Sequence, residues 1–191
     1  MDLIDSYWKK FLDKGDESSF SIVYENLADT LFSYGISMGF QKETCKDAIQ
    51  DTFYKLYISK QNLLHVENIT AYIIKVFKHR ILYITNKNKE KESLDLHANS
   101  FTIKVTALDV IIDVEKKEII RNKIELLLNS LSDKQKEIVY LKYMLGLQHK
   151  EIADILGIRE DSAKKQLHRT IKLLRKFASE NRLSEYVLRV Y

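Results

Sequence analysis

The chain has 191 residues and a net charge of +4. With 45% apolar and 30% charged residues, its composition is that of an ordinary protein with a buried core. The absence of proline and the small number of glycines, 5, disfavour a turn-rich β architecture and favour long helices. The sequence also excludes several classes. No apolar run approaches the roughly 20 residues that span a bilayer, the N-terminus lacks the pattern of a secretion signal, and a single cysteine cannot form an internal disulfide. We therefore expect an all-α protein of the cytoplasm, without membrane insertion.

The charge is unevenly distributed along the chain. Residues 1–51 carry 5 Lys and 10 Asp or Glu, whereas residues 72–91 carry 6 basic residues and 1 acidic residue. A second basic stretch, residues 159–182, holds 8 basic and 3 acidic residues. Two cationic segments in an otherwise acidic chain suggest two contacts with a polyanion, and helix faces that meet only solvent are the alternative.

Apolar residues recur at helical spacing in four segments of the first 86 residues, which predicts a first domain over 1–86. The first segment is 3–12. A second follows Gly15 with Asp16 as its N-cap and ends near Gly35 or Gly39, a third begins around Lys42, and a fourth follows "HVEN" (65–68).

The character of the sequence changes after this bundle. "NKNKEKES" (86–93) is charged without an apolar face, and residues 94–110 have no clear period. We expect residues 87–112 to be an interdomain linker, with a short strand in "SFTIKV" (100–105) as the competing local interpretation.

The remaining residues, 113–191, predict a second helical domain. A helix is expected over 114–131, and "SDKQ" (132–135) has the form of a capping box that starts the next helix. Two further segments, 147–156 and 161–178, complete a module of four helices. The fold class is therefore all-α, with two small helical domains joined by a linker.

The last two helices carry a helix-turn-helix pattern. In "EIADILGI" (151–158), Ala153 and Gly157 lie four residues apart among apolar neighbours. A small residue lets a second helix cross closely, and glycine adopts the left-handed conformation that the turn requires. The pattern is moderately specific and also occurs by chance in helical proteins.

The helix predicted over 161–178 separates apolar from basic side chains completely, at about 100° per residue. Its apolar arc holds Ala163, Leu167, Ile171, Leu173, Leu174, Phe177 and Ala178, and its cationic arc holds Lys164, Lys165, His168, Arg169, Lys172, Arg175 and Lys176. Because one sign of charge repels itself, a DNA-reading helix is favoured over a solvated face, and a membrane-surface helix is the least favoured alternative.

In a helix-turn-helix motif the N-terminal part of the second helix enters the major groove. The candidates for base contact are Arg159, Glu160, Asp161, Lys164, Lys165 and His168, and the candidates for phosphate contact are Ser162, Arg169 and Lys172.

Two stretches of the first half resemble the opening helices of bacterial RNA polymerase sigma factors of the extracytoplasmic-function (ECF) type. These are "KGDESSFSIVYEN" (14–26) and "CKDAIQDTFYKLY" (45–57). The matching residues are Gly15, Asp16, Phe20, Tyr24, Asp47, Gln50, Asp51, Thr52 and Phe53. Residues 126–176 are similar to the promoter-binding fourth region of the same family. The chain departs from the family where Ala-Arg-Asn is usual, at 77–79, and where an Asp is common, at Tyr83.

The resemblance implies a task for each part. The helix over 42–59 would dock on the largest subunit of core RNA polymerase through Asp47, Gln50, Asp51 and Lys55. Residues 72–91 would contact the minus-ten promoter element through Tyr72, Lys75, Lys78, His79, Arg80 and Lys87, since aromatic and basic side chains interleave there. The helix-turn-helix domain would bind the minus-thirty-five element through the base and phosphate candidates given above.

We therefore expect a sigma factor that binds core RNA polymerase and promoter DNA, with an anti-sigma factor as a further partner that the family allows. No nucleophile, carboxylate pair or metal-ligand spacing appears, so no catalysis, metal or cofactor is expected. One alternative is a helix-turn-helix regulator whose first domain senses a signal or dimerises. Another is a helical adaptor that binds only proteins.

Overall fold

The computed structural model describes residues 3–91, 100–103 and 114–180, with side chains for 3–86, 100–103 and 121–180. The chain divides into two compact units, Met1–Ser100 and Phe101–Tyr191. All the regular elements in the described residues are helices, which confirms the predicted all-α class.

In the described residues, the first unit is a bundle of four α-helices. They are α1 (Leu3–Lys14), α2 (Glu17–Ser37), α3 (Lys42–Ile58) and α4 (Ile69–Lys91), with a 3-10 turn at Lys60–Leu63. The predicted starts of all four are confirmed. Helix α4 continues to Lys91. The predicted start of the linker, residue 87, therefore lies within this helix.

Side-chain caps fix two of the helix starts. The Asp16 carboxylate accepts from the Ser18 backbone N–H at 3.3 Å, as the sequence predicts. At α4, the Asn68 amide oxygen accepts from the Ala71 N–H at 3.0 Å, and Asp5 of α1 accepts from the Ile69 N–H at 3.1 Å. Helix starts leave backbone donors unpaired, so these acceptors define where α2 and α4 begin.

An aromatic cluster joins α1, α2 and α3. The Phe20 ring lies 4.8 Å from Phe11, 6.0 Å from Phe53 and 5.4 Å from Tyr57, measured between centroids. Edge-on and tilted pairs at these distances are favourable. The cluster therefore sets the orientation of α3, whose outer face carries the predicted polymerase contacts.

Helix α2 crosses α3 and α4 closely at Gly35. A Cβ atom at this position would lie 2.6 Å from the Cys45 Sγ and 3.1 Å from the Phe77 Cζ. Gly35 therefore lies inside α2, where the absence of a side chain allows the helices to pack closely. It does not end the helix, which was one of the two ends that the sequence suggested. The turn comes at Gly39, whose φ is 83°.

The described residues of the second unit also form four α-helices. They are α5 (Val114–Asn129), α6 (Asp133–Val139), α7 (His149–Leu156) and α8 (Glu160–Glu180). The capping box at Ser132 is confirmed, with the Ser132 N–H donating to the Gln135 Oε1 at 2.9 Å. The sequence does not predict the wide π-helical turn at Tyr140–Met144 that follows α6.

Residues of the predicted linker take part in the second unit. Phe101 is buried, and its ring packs edge-on against Tyr140 with 5.7 Å between centroids. Residues 100–103 form no strand, and the rest of "SFTIKV" lies outside the described residues. Phe101, from within the predicted linker, thus packs on the π-helical turn.

Candidate nucleic-acid interface

The turn between α7 and α8 has the geometry that the sequence predicts. Gly157 has φ 65°, and the Ile158 N–H donates to the Ala153 carbonyl at 3.0 Å. At the other end of α7, the Gln148 N–H donates to the Glu151 Oε2 at 2.6 Å, a capping box that the sequence analysis did not identify. Its signal is the Gln-x-x-Glu spacing. Both ends of α7 are therefore fixed by local bonds, which sets how α8 is presented.

Helix α8 turns its predicted base contacts outward. It begins one residue earlier than predicted, with Arg159 just before its first turn. Its buried residues are Ala163, Leu167, Thr170 and Ala178, and Leu173 is 39% exposed although it belongs to the apolar arc. The exposed residues include Arg159, Glu160, Asp161, Lys164, Lys165, His168, Arg169 and Lys172, whereas Ser162 is half-buried.

The first turn of α8 carries an ion pair within the candidate site. The Lys164 Nζ lies 2.8 Å from a Glu160 carboxylate oxygen. This bond lowers the pKa of Glu160 and raises the pKa of Lys164. Among the described residues Lys165, Arg169 and Lys172 have no ion pair, so their charges are available to an external anion.

A groove of about 880 Å³ between α3 and α4 brings together residues of the two predicted contact sets of the first unit. Its lining includes Asp51 and Lys55 from the predicted polymerase contacts and Tyr72, Lys75, His79 and Arg80 from the predicted minus-ten contacts. Tyr54 and Tyr83 complete the aromatic part of the wall.

One ion pair crosses this groove. The Nε and Nη2 of Arg80 donate to the same Asp51 oxygen at 2.8 and 2.5 Å, and the guanidinium lies 5.3 Å from the centre of the Tyr83 ring. A fixed fork of donors and a planar face suit Arg to both contacts. The sequence predicts different partners for these two charges, polymerase for Asp51 and promoter DNA for Arg80, whereas the structure pairs them.

The other predicted residues of the first unit lie apart from the pair. Asp47 and Gln50 are exposed on the outer face of α3, and Lys78 is half-buried on α4. The side chain of Lys87 lies outside the described residues. Tyr54, which is 68% exposed, was not identified from the sequence. Its signal is an aromatic residue directly after Phe53, on the polar side of the helix.

None of the described helices is long and apolar enough to cross a membrane. In the same part of the chain, no three His, Cys, Asp or Glu side chains are grouped to hold a metal ion.

A helical unit with an aromatic and cationic groove, followed by a helix-turn-helix unit with an exposed cationic helix, defines a DNA-binding protein of the helix-turn-helix class. Residues 121–174 match the family model of sigma-70, region 4. This match covers the C-terminal half of α5, then α6, α7, the turn and most of α8.

Curated relatives extend the likeness to the first unit. The ECF RNA polymerase sigma factor SigW of Bacillus subtilis (strain 168) is 22% identical over 177 residues, covering 87% of this chain and 92% of SigW. The ECF RNA polymerase sigma factor SigM of the same organism is 24% identical over 155 residues, covering 80% of this chain and 91% of SigM.

Solved structures share the fold. The sigma factor RpoE from Bartonella quintana, solved with the anti-sigma factor NepR, has a TM-score of 0.58 at 18% identity and covers 84% of this chain and 96% of its own. CnrH, solved in complex with the cytosolic domain of CnrY, has a TM-score of 0.60 at 13% identity, over 94% of this chain and 99% of its own. Over most of its length the chain is similar to sigma factors of the extracytoplasmic-function type, the family that the two sequence motifs resemble, and its second unit matches sigma-70, region 4.

Proposed function

We propose that the chain binds core RNA polymerase and directs it to promoters, with the first unit at the minus-ten element and the second at the minus-thirty-five element. The proposal assigns it no chemistry of its own, because sigma factors are non-enzymatic transcription factors. Polymerase and promoter DNA would be met in the cytoplasm.

The exposed cationic face of α8 carries the proposal. Its first turns hold Lys164, Lys165 and His168 where base edges can be reached, on a helix that the α7 turn holds out from the unit. Arg169 and Lys172 lie further along the same face and suit phosphates. This division follows the usual separation of contacts that specify from contacts that position.

Residues of the first unit support the other two parts of the proposal, binding of the minus-ten element and binding of polymerase. Tyr72, Lys75 and His79 line the α3–α4 groove, where cations could hold a DNA backbone while aromatic rings meet unpaired bases. Asp47 and Gln50 lie exposed on α3, available to polymerase. The solved relatives RpoE and CnrH each appear with a partner protein, so an anti-sigma factor is a further proposed partner.

The proposal is tested by transcription from a genomic DNA library, with core polymerase and with or without the purified chain. Specific start sites should depend on the chain. A helix-turn-helix regulator would instead bind symmetric DNA without polymerase, and an adaptor would bind no DNA at any salt concentration.

Selection of promoter sequences with variants of α8 tests the roles along the helix. Lys165→Ala should relax the preference at one or two base pairs of the upstream motif and cost about 1–3 kcal/mol if it contacts a guanine. Lys172→Ala should weaken all sequences and reduce the salt dependence by about one counterion. Lys134→Ala, an exposed lysine of α6, is the matched control. An upstream motif unchanged by Lys165→Ala but altered by Lys172→Ala would contradict the assignment.

A further inference from the structure

The Asp51–Arg80 pair occupies the boundary between two proposed binding surfaces. Asp51 lies on α3, one residue after Gln50 of the proposed polymerase face, and Arg80 lies on α4, which we assign to the minus-ten element. The pair closes across 29 residues of sequence through two N–H donors of one guanidinium. One carboxylate therefore belongs to the docking helix while it neutralises a cation of the DNA helix.

Both partners are open to competitors. The Arg80 side chain is 38% exposed and the Asp51 side chain is 42% exposed. Exposed ion pairs of this kind exchange readily with other charged groups, because water and salt screen them.

The bundle does not depend on this pair for its packing. Helices α3 and α4 already bury Phe53, Leu56, Ile73, Phe77 and Ile81 in the core of the first unit. We therefore expect the pair to open and close with little effect on the bundle.

Two lysines of the groove differ from Arg80 in having no carboxylate partner in the described part of the chain. Lys55 and Lys75 line the same wall, and in the described part of the chain neither has an ion pair. An incoming phosphate would meet these lysines directly, whereas it could engage Arg80 only by displacing the Asp51 carboxylate.

We propose that Asp51 is a positioning residue that withholds Arg80 from DNA in the free chain and releases it when polymerase docks on α3. The inference rests on the proposed function, since it takes polymerase as the partner of the α3 face. When a hydrogen-bond donor of polymerase binds the Asp51 carboxylate, the Arg80 guanidinium loses its partner. Arg80 then remains in the groove beside the Tyr83 ring, where a phosphate can bind it. Binding of polymerase would thereby raise the affinity of the first unit for a phosphate backbone.

The polymerase-free arm of the test uses the full chain and a fluorescein-labelled single-stranded 12-nucleotide DNA, followed by fluorescence anisotropy. Asp51→Asn keeps the shape of the side chain but removes its charge. It should raise the affinity at low salt by about three- to tenfold and increase the dependence on salt by about 0.7 of a counterion, the value for one more phosphate contact on a single strand. An unchanged affinity would overturn the proposal.

Two controls separate this effect from a general change of charge. Asp29→Asn removes an exposed carboxylate from α2 and should change the affinity less than twofold. In an Arg80→Gln background, Asp51→Asn should have no effect beyond that of Asp29→Asn. An increase that persists without Arg80, or that Asp29→Asn reproduces, would show that Asp51 acts only through net charge. Thermal unfolding followed by Trp8 fluorescence checks that each variant retains the folded first unit.

The polymerase arm tests the release. With core polymerase present, Asp51→Asn should weaken polymerase binding severalfold and should no longer raise the affinity for promoter DNA. The same increase in DNA affinity with and without polymerase would mean that docking leaves the pair closed, which overturns the release step. Failure of the parent chain to bind polymerase would contradict the proposed function, while the polymerase-free arm would still decide whether Asp51 withholds Arg80.

Discussion

At the scale of the residue, Asp16 shows how one side chain can define a helix boundary and a pH response. Its carboxylate accepts from the hydroxyls of Ser18 and Ser19, both at 2.6 Å, and lies 3.5 Å from the Lys10 ammonium. These bonds hold the pKa of Asp16 well below its ordinary value, with the two serine hydroxyls as the main cause. Because the folded pKa is lowered, the stabilisation is complete above the unfolded value and is lost as pH falls toward the folded value.

We expect Asp16→Asn to remove this pH dependence, since asparagine also caps helices but does not titrate. At pH 7 the variant should be less stable than the parent, and the difference should shrink below about pH 4, where unfolded aspartate becomes protonated. Thermal unfolding of both proteins from pH 7 to pH 3, followed by the fluorescence of Trp8 in the first unit, measures the difference. A difference that stays constant over this range would show that the charge of Asp16 is not responsible.

Gly35 and Cys45 form a second residue-scale feature, a contact that leaves no room for a methyl group. Gly35→Ala should lower the free energy of unfolding by about 1–3 kcal/mol through overpacking, although alanine is the better helix former. Cys45→Ala removes the Sγ that a Cβ would meet at 2.6 Å. In the double variant the loss should therefore be smaller than the sum of the two single losses, by about 1 kcal/mol. Chemical denaturation of the four proteins measures this coupling, and additive losses would contradict the contact.

Asp16 and Gly35 also show which structural roles can be predicted from the sequence alone. The Asp16 cap was predictable because its partners lie two and three residues away. The roles of Gly35 and of the Asp51–Arg80 pair were not, because each depends on which helices meet in the fold. Long-range contacts of this kind leave no local pattern in a single sequence.

At the scale of the element, periodicity located every described α-helix but not the details between them. The starts of α2, α3, α4 and α6 follow from local caps and apolar spacing. The π-helical turn at Tyr140–Met144 and the exposure of Leu173 depend on tertiary packing, so apolar spacing alone placed Leu173 on the buried arc. The exposure of the candidate contacts on α8 was easier to predict than the grouping of residues in the groove, because all of those contacts except Arg159 lie on one helix.

The Phe101 anchor yields an element-scale prediction. Phe101→Ala should lower the stability of the second unit by about 3 kcal/mol, since it empties a buried aromatic site against Tyr140. Phe101→Leu, which keeps most of the volume, should cost about 1 kcal/mol. The single tryptophan, Trp8, lies in the first unit, so its fluorescence should be unchanged while the helical circular dichroism shows the earlier transition. Equal effects on both signals would mean that the two units do not unfold separately.

At the scale of the whole molecule, the two units present different surfaces to a partner. The first carries an exposed polar helix face and an aromatic groove, and the second carries a cationic helix on a rigid turn. The change in composition after residue 86 indicated this division, although α4 reaches Lys91 and Phe101 already belongs to the second unit. Composition marks where regular periodicity ends, but it does not show which flanking residues pack onto a neighbouring unit.

A linker that only tethers should tolerate replacement of its sequence, and Phe101 sets the limit of that tolerance. A Gly/Ser run of equal length in place of 92–99 should leave promoter-directed initiation within about tenfold, equivalent to roughly 1.4 kcal/mol, because the cost of loop closure is set mainly by loop length, which does not change. Replacing 97–106 removes the Phe101 anchor as well and should reduce initiation further. Restoring only Phe101 within the second replacement should recover most of the loss. Transcription assays with core polymerase measure promoter-directed initiation by all three variants and by the parent chain. A complete loss on replacing 92–99 alone would show that this segment makes contacts of its own in the initiation complex.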